Sequence, residues 1–337
     1  MGRLRPIVSS IPELIILILV IIAAYIIMAV FSTINDTEVL SAASIFWILL
    51  GSFLISTLIA ILAPIVGVGG GVIFTPIMMG FTSIDTMIIR ATGLVVAMFS
   101  GLVSGGLFFK KGLANIKVVL YCGVPITIGA MAGGMLAVYG DQMLGSTGDA
   151  LVRLLLGIII GFVCFLFITG GAKTEFPEPG SIDRLSKKLG LGGYYWEESL
   201  HKPVSYQLTR AIPGFLLFFF VGIIGGFFGL GGGWAMVPVL NLVMAAPLKV
   251  SAACSGVLLG IEGASAIWPY ILYGALIGIF AVPWMAGQVV GGIIGAHILI
   301  KVRASFVRNL LIVILIVTSV KLILKGIEGF AHIDIPI

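Results

Sequence analysis

The chain has 337 residues, of which 60% are hydrophobic and only 10% are charged, with a formal net charge of +5 and a mean hydropathy of +1.22. Soluble domains carry about 25% charged residues, so no soluble core could hold this much apolar side chain. The composition therefore indicates a polytopic membrane protein. It also argues against nucleic-acid binding, because the basic residues fall in short loops, as expected of an orientation signal.

The first predicted helix covers residues 11–34 and follows a short basic start that contains Arg3 and Arg5. Its apolar run is long enough to span a membrane and longer than the apolar core of a signal peptide, and no A-x-A cleavage site follows it. We therefore expect a retained transmembrane helix, followed by an outer loop up to residue 45. The N-terminus is expected in the cytoplasm.

The remaining hydropathy maxima predict eight full spans and two short apolar segments. The spans lie near 46–66, 87–108, 113–139, 150–171, 208–230, 250–272, 276–300 and 306–325. The short segments, 72–82 and 234–246, hold about a dozen residues each and would cover about 18 Å of a roughly 30 Å hydrocarbon core. We therefore predict two half-helices, which either cross the membrane or turn back.

Each short segment directly follows a glycine-rich motif. The first motif is "GVGGG", Gly67–Gly71, and the second is "GLGGG", Gly229–Gly233; Pro76 and Pro238 follow them. Neither copy completes a dinucleotide fingerprint or a P-loop, which argues against nucleotide binding. Close packing of helices is one explanation for glycines in a membrane protein. The preferred explanation is unwound backbone at the start of a half-helix, whose amides face an anion.

The second half of the chain repeats features of the first. Ala91-Thr92-Gly93 precedes Ala253-Cys254-Ser255 by 162 residues, and Val124-Pro125 precedes Val282-Pro283 by 158. A duplicated unit is the economical interpretation. The predicted organisation is an N-terminal region 1–45, repeat 1 at 46–171, a linker at 172–207, repeat 2 at 208–325 and a tail at 326–337.

The positions of the basic residues indicate how the repeats are oriented. If each short segment crosses the membrane, Lys110, Lys111, Lys117 and the basic linker lie in the cytoplasm, and only Lys321 and Lys325 break the positive-inside rule. Each repeat then has five crossings, an odd number, so the two are inverted. The predicted fold is an all-α polytopic membrane protein of two inverted repeats with Gly-rich broken helices, preceded by one extra transmembrane helix.

Polar residues inside the spans are the candidates for a binding site. Glu262 lies midway along its span, where a carboxylate is costly unless it is protonated, paired or facing water. It is our candidate for proton coupling, the alternative being a structural hydrogen bond. The guanidinium of Arg90 suits a sulfonate, although an arginine near a helix end often snorkels instead. The predicted substrate-binding residues are Gly67, Gly69, Gly70, Gly71, Arg90, Thr92, Ser100, Gly229, Gly231, Gly232, Gly233, Asn241, Ser255 and Gln288.

No sequence feature supports an enzyme, a metal site or a cofactor. Cys122, Cys164 and Cys254 are isolated in apolar segments, and the three histidines are far apart. No Ser-His, Cys-His, paired-Asp or metal motif occurs at useful spacing, so we predict no catalytic residue, no metal ligand and no cofactor.

Two glycine motifs, each followed by an apolar stretch with proline ("TPIMM", "VPVLN") and a small-residue helix start ("RATGLVVA", "SAACSGVLLG"), resemble the TauE/SafE family of sulfite and organosulfonate transporters, also called TSUP. The resemblance covers about residues 46–325. It implies a plasma-membrane secondary transporter, with export as the expected direction, of anions such as sulfite, thiosulfate, sulfoacetate or related sulfonates. Which anion is carried, the direction, a proton as coupling ion and a homodimer stay open. The alternative function is a passive anion channel that uses the same half-helix dipoles.

Overall fold

The fold is described from a computed structural model over residues 42–66, 69–110, 112–169, 177, 182–197, 201–298 and 304–331. The predicted first helix at 11–34 and Gly67 lie outside these ranges.

Helices make up nearly all of the described chain. The first half contains α1 (Ala42–Val66), α2 (Gly70–Phe81), α3 (Thr86–Lys110) and α4 (Ile116–Thr169). Between the halves lie α5 (Arg184–Leu189) and the strands β1 (Gly192–Glu197) and β2 (Lys202–Gln207). The second half contains α6 (Ala211–Phe228), α7 (Gly233–Pro238), a π-helical turn (Val239–Val243), α8 (Leu248–Tyr273), α9 (Gly278–Ile298) and α10 (Ala304–Ala331).

Five helical stretches within the described ranges are long and apolar enough to cross a membrane. Two of them belong to α4, which is kinked at Gly145 (φ 49°, ψ −129°). Large apolar side chains cover the outside of the helices; Leu272 is 84% exposed and Leu120 is 62% exposed. Such a surface requires lipid rather than water as its solvent. The predicted all-α polytopic membrane fold is therefore confirmed.

The two short apolar segments form the short helices α2 and α7. Three residues separate the end of α1 from the start of α2, and four residues separate the end of α6 at Phe228 from the start of α7. Between α6 and α7 the chain is unwound, with Gly229 (φ 68°) and Gly231 (φ 67°) in the left-handed region that favours glycine. Pro238 is the last residue of α7, and the π-helical turn follows it directly.

Two helix crossings repeat the same contact in the two halves. In the crossing of α4 and α6, a Cβ at Gly133 would overlap the carbonyl oxygen of Ile223. In the crossing of α9 and α1, a Cβ at Gly291 would overlap the carbonyl oxygen of Thr57. Gly133 and Gly291 are related by the 158-residue offset that the sequence shows. The first helix of each half thus packs against the fourth element of the other half.

The linker between the halves contains a small folded unit on the ends of α4 and α8. β1 and β2 pair as an antiparallel hairpin, which the sequence analysis did not predict. The buried Glu197 of β1 pairs with Lys249 at the start of α8, with 2.5 Å between Oε1 and Nζ. The side-chain amide of Asn115 donates to the carbonyl of Gly192 and to the hydroxyl of Tyr206, each at 3.0 Å. The hairpin therefore contacts both halves of the chain.

Candidate functional site

The two glycine motifs meet in the interior of the protein. A Cβ at Gly233 would lie 2.7 Å from the amide nitrogen of Gly69, and one at Gly71 would lie 2.5 Å from the carbonyl oxygen of Leu230. All described motif residues are buried. Since backbone faces backbone at these points, only glycine allows the approach. We call Gly69–Gly71 and Gly229–Gly233 the glycine cluster.

At the start of both short helices, backbone carbonyls accept hydrogen bonds from amides of the same helix. The carbonyl of Gly69 accepts from the amide of Val72 at 3.2 Å, and the carbonyl of Gly232 accepts from Ala235 at 2.9 Å. The first amides of each helix point the opposite way, as at any helix start. Both half-helices therefore begin at the glycine cluster with their positive ends.

Leu259 and Ala97 fill the space between the two motifs. A Cβ at Gly233 would lie 3.1 Å from the side chain of Leu259, and a Cβ at Gly231 would lie 2.9 Å from that of Ala97. Leu259 and Ala97 are 162 residues apart, which is the offset between Ala91-Thr92-Gly93 and Ala253-Cys254-Ser255. Both are buried, so the glycine cluster is closed in this conformation.

Glu262 contacts the second motif directly. Its carboxylate oxygen Oε2 accepts a hydrogen bond of 2.6 Å from the amide of Gly232, and the residue is fully buried. The other oxygen, Oε1, lies against Gly225 of α6 and has no hydrogen-bond partner within the described part of the chain. The structure thus brings the predicted coupling residue to the predicted binding amides.

Gln288 contacts the first motif at Gly70. Its Nε2 donates to the carbonyl oxygen and the hydroxyl of Ser56, at 3.2 and 3.1 Å. Its Oε1 has no partner among the described residues, and a Cβ at Gly70 would lie 2.6 Å from that oxygen. Each motif therefore has one buried polar side chain of the second half against it, Gln288 at the first and Glu262 at the second.

Arg90 contacts the glycine cluster through its backbone. A Cβ at Gly229 would overlap the Cα and carbonyl oxygen of Arg90. Its guanidinium turns toward Thr86, one turn earlier in α3, and donates to the carbonyl and hydroxyl oxygens of that residue at 3.3 and 3.2 Å. It also lies 5.8 Å over the ring of Phe227. The described hydrogen bonds of the guanidinium thus go to Thr86 in its own helix, and its Nη1 is buried without a partner among the described residues.

The remaining predicted residues, Thr92, Ser100, Asn241 and Ser255, are all buried. Thr92 is buried, and its hydroxyl has no partner among the residues that the structure describes. Ser100 is also buried, and the hydroxyl of Ser255 lies 3.5 Å from the sulfur of Met236 in α7. Asn241 lies at the far end of the second half-helix, where its amide donates to the carbonyl of Ala246 at 2.8 Å. That bond closes the turn after the half-helix.

Thr75 contacts the glycine cluster, and the sequence analysis did not predict this contact. Its hydroxyl donates a buried hydrogen bond of 2.7 Å to the carbonyl of Gly229, and so ties α2 to the second motif. A Cβ at Gly93 would overlap the same hydroxyl. The sequence feature that could have indicated this contact is a hydroxyl group inside an otherwise apolar half-helix, directly before Pro76.

Replacement of Thr75 with valine is expected to lower the free energy of unfolding by about 1–3 kcal/mol, because the buried carbonyl of Gly229 would lose its described partner. Thermal unfolding of the purified protein in detergent measures the loss. Thr57→Val is the matched control, since the described hydrogen bond of the Thr57 hydroxyl goes to the carbonyl of Phe53 in its own helix. Equal stability of the two variants would contradict the prediction.

Comparison with known proteins agrees with this architecture. The model of the sulfite exporter TauE/SafE family matches residues 7–142 and 52–322. The probable membrane transporter protein YunE of Bacillus subtilis (strain 168) is 24% identical over 287 residues, which are 82% of this chain and 99% of that protein. No solved structure matches the chain. Because the longer family match contains both glycine motifs and most of the described helices, the chain belongs to the TauE/SafE family of membrane transporters.

Proposed function

We propose that the protein is a secondary transporter of small sulfur-containing anions, such as sulfite, thiosulfate, sulfoacetate or related sulfonates, in the cell membrane, with export as the expected direction. The observation that carries the proposal is the meeting of two half-helix starts at one buried glycine cluster. Membership of a sulfite exporter family supports this substrate class. The basic residues of the linker support a cytoplasmic position for it and for the N-terminus.

Neutral donors suit a carrier that must release its cargo. Backbone amides at a helix start attract an anion through partial charges, without the full charge of a lysine or arginine. The amides of Gly69–Gly71 and Gly231–Gly233 are the proposed primary ligands. The side chains proposed to complete the site in other conformations are those of Arg90, Thr92, Ser100, Asn241, Ser255 and Gln288.

Alternating access by two inverted repeats is the proposed mechanism. The repeated crossings at Gly133 and Gly291, and the matched positions of Leu259 and Ala97, support a duplicated unit whose halves pack in an equivalent way. The side chains of Leu259 and Ala97 fill the centre, which favours a carrier over an open channel. One repeat would move against the other to expose the cluster to each side in turn.

The test combines binding with transport. Purified protein is screened by thermal shift and calorimetry against sulfite, thiosulfate, sulfoacetate, taurine, sulfate, phosphate and chloride. A substrate stabilises the native state by mass action, so one sulfur anion should raise the melting temperature selectively. In proteoliposomes, the same anion inside the vesicle should accelerate uptake of labelled anion from outside. Flux that is indifferent to the anion inside would favour a channel, and an equal response to every anion would contradict the substrate class.

A further inference from the structure

The carboxylate of Glu262 occupies a position at the glycine cluster where a transported anion would bind. We propose that Glu262 is a tethered competitor of the substrate: one of its oxygens takes the place of a substrate oxygen at the amide of Gly232, and protonation releases it so that the anion can bind. The inference rests on the proposed function. It assigns to this residue both the closing of the empty site and the coupling of anion binding to a proton.

Three glycines surround the carboxyl group. Gly225 of α6 lies against Oε1 so closely that a Cβ there would overlap it. A Cβ at Gly232 would lie 3.2 Å from Oε2, and one at Gly231 would lie 3.8 Å from it. A Cβ at Gly225 would displace the carboxyl group and one at Gly232 would crowd it, whereas one at Gly231 would be in ordinary van der Waals contact with it. The space that they leave is therefore suited to a small group with oxygen atoms.

The hydrogen bonding of the carboxyl group is incomplete. Oε2 accepts from the amide of Gly232, but Oε1 has no partner within the described ranges although it is buried. An ionised carboxylate in the membrane interior is costly when only one amide compensates it. A protonated carboxyl group avoids this cost and no longer needs the amide. The bond to Gly232 is thus strong enough to close the site only in the ionised form.

Charged and titratable groups on the neighbouring helices make no described hydrogen bond to the Glu262 carboxyl group, although Nη1 of Arg90 is buried and has no partner among the described residues. On α3, the guanidinium of Arg90 bonds to Thr86, whose hydroxyl in turn donates to Asp149 of α4. Asp141 of α4 accepts from the hydroxyl of Tyr273 at 2.7 Å. Tyr270 of α8 donates to the carbonyls of Gly226 and Phe227, and Arg210 before α6 is exposed. Among the described residues, the amide of Gly232 is the sole hydrogen-bond partner of the Glu262 carboxylate.

Proton and anion then bind together. The ionised carboxylate takes up one proton, leaves the amide of Gly232, and the anion accepts the hydrogen bond in its place. Anion affinity should therefore rise as the pH falls, by up to about tenfold per pH unit for one linked proton. No oxidation, reduction or covalent bond to the anion is involved.

The test compares wild-type protein with Glu262→Gln and with Asp141→Asn as the matched control. Asp141→Asn removes a carboxylate that bonds Tyr273 instead of the cluster. Thiosulfate is the probe, because its charge stays constant over the range used, and calorimetry gives its Kd at about pH 6 and about pH 8. Wild type and Asp141→Asn should bind up to about a hundredfold more tightly at the lower pH. Glu262→Gln should bind at both values with about the low-pH affinity of wild type.

A second measurement needs no variant and so does not depend on how Glu262→Gln folds. Addition of thiosulfate to wild-type protein in weakly buffered solution should take up protons at about pH 8, with about one proton per bound anion as the upper limit. Binding without proton uptake, or an unchanged pH dependence in Glu262→Gln, would overturn the role of Glu262 and leave the anion transporter intact. Failure of wild-type protein to bind any anion of the panel at either pH would overturn the proposed function itself.

Discussion

Replacement of Gly229 with alanine is expected to abolish transport and to lower the free energy of unfolding by about 2–5 kcal/mol. The backbone at Gly229 is left-handed (φ 68°), which costs an L-residue about 1–2 kcal/mol. The new Cβ would also overlap the Cα and carbonyl oxygen of Arg90, and overpacking costs about 1–3 kcal/mol more. Since backbone atoms cannot rotate away, α3 would have to move. Thermal unfolding in detergent and anion exchange in proteoliposomes measure the two effects.

Gly112→Ala is the control variant that has the backbone strain of Gly229→Ala but not its close contact. Gly112 has nearly the same conformation (φ 67°), but nothing lies within 4 Å of the place where its Cβ would be. This control should lose only the cost of the left-handed backbone, about 1–2 kcal/mol, and should keep transport. If Gly229→Ala is as stable and as active as Gly112→Ala, the close packing of the second motif against α3 is not important.

Alanine at Gly133 and at Gly291 is expected to destabilise the protein to a similar extent, by about 1–3 kcal/mol each, measured by thermal unfolding. In each variant the Cβ would overlap a carbonyl oxygen of the crossing helix, that of Ile223 or that of Thr57. Loss of close packing at either crossing separates a helix from the opposite half of the chain. Transport should fall in both variants because each crossing fixes the position of one half of the chain relative to the other.

Gly140→Ala is the control for these crossings. Gly140 lies in the same helix as Gly133, but no atom lies within 4 Å of its added Cβ. Alanine should there increase stability by up to about 1 kcal/mol through helix propensity alone. A large effect at Gly133 together with none at Gly291 would show that the two crossings are not equivalent and would weaken the argument for a duplicated unit.

Hydropathy and glycine content were sufficient to predict an all-α membrane protein with two short helices. The short apolar segments at 72–82 and 234–246 correspond to α2 and to α7 with its π-helical turn, because a break in a membrane helix needs local glycine and proline. Offsets of 162 and 158 residues between similar features led to the prediction of a duplicated unit, which stays a prediction. The resemblance to the TauE/SafE family rested on the same motifs and is confirmed.

The contacts of the glycine cluster required the tertiary structure. Sequence placed Glu262 and Gln288 in the right helices but could not show that each lies against a different motif. It also missed Thr75, and it left open whether the side chain of Arg90 reaches the motif amides or turns away. The hairpin in the linker was not predicted, although its aromatic residues favour a β-strand.

The physical reason is the uniformity of membrane helices. A helix of a soluble protein has one apolar face, so the periodicity of its sequence indicates which side is buried. Helices such as α6 and α8 are apolar on nearly every side, because lipid and protein interior accept the same residues. The sequence by itself therefore determined which segments enter the membrane and where they break. Only the tertiary structure decided how each helix is rotated, and hence which polar atoms meet at the centre.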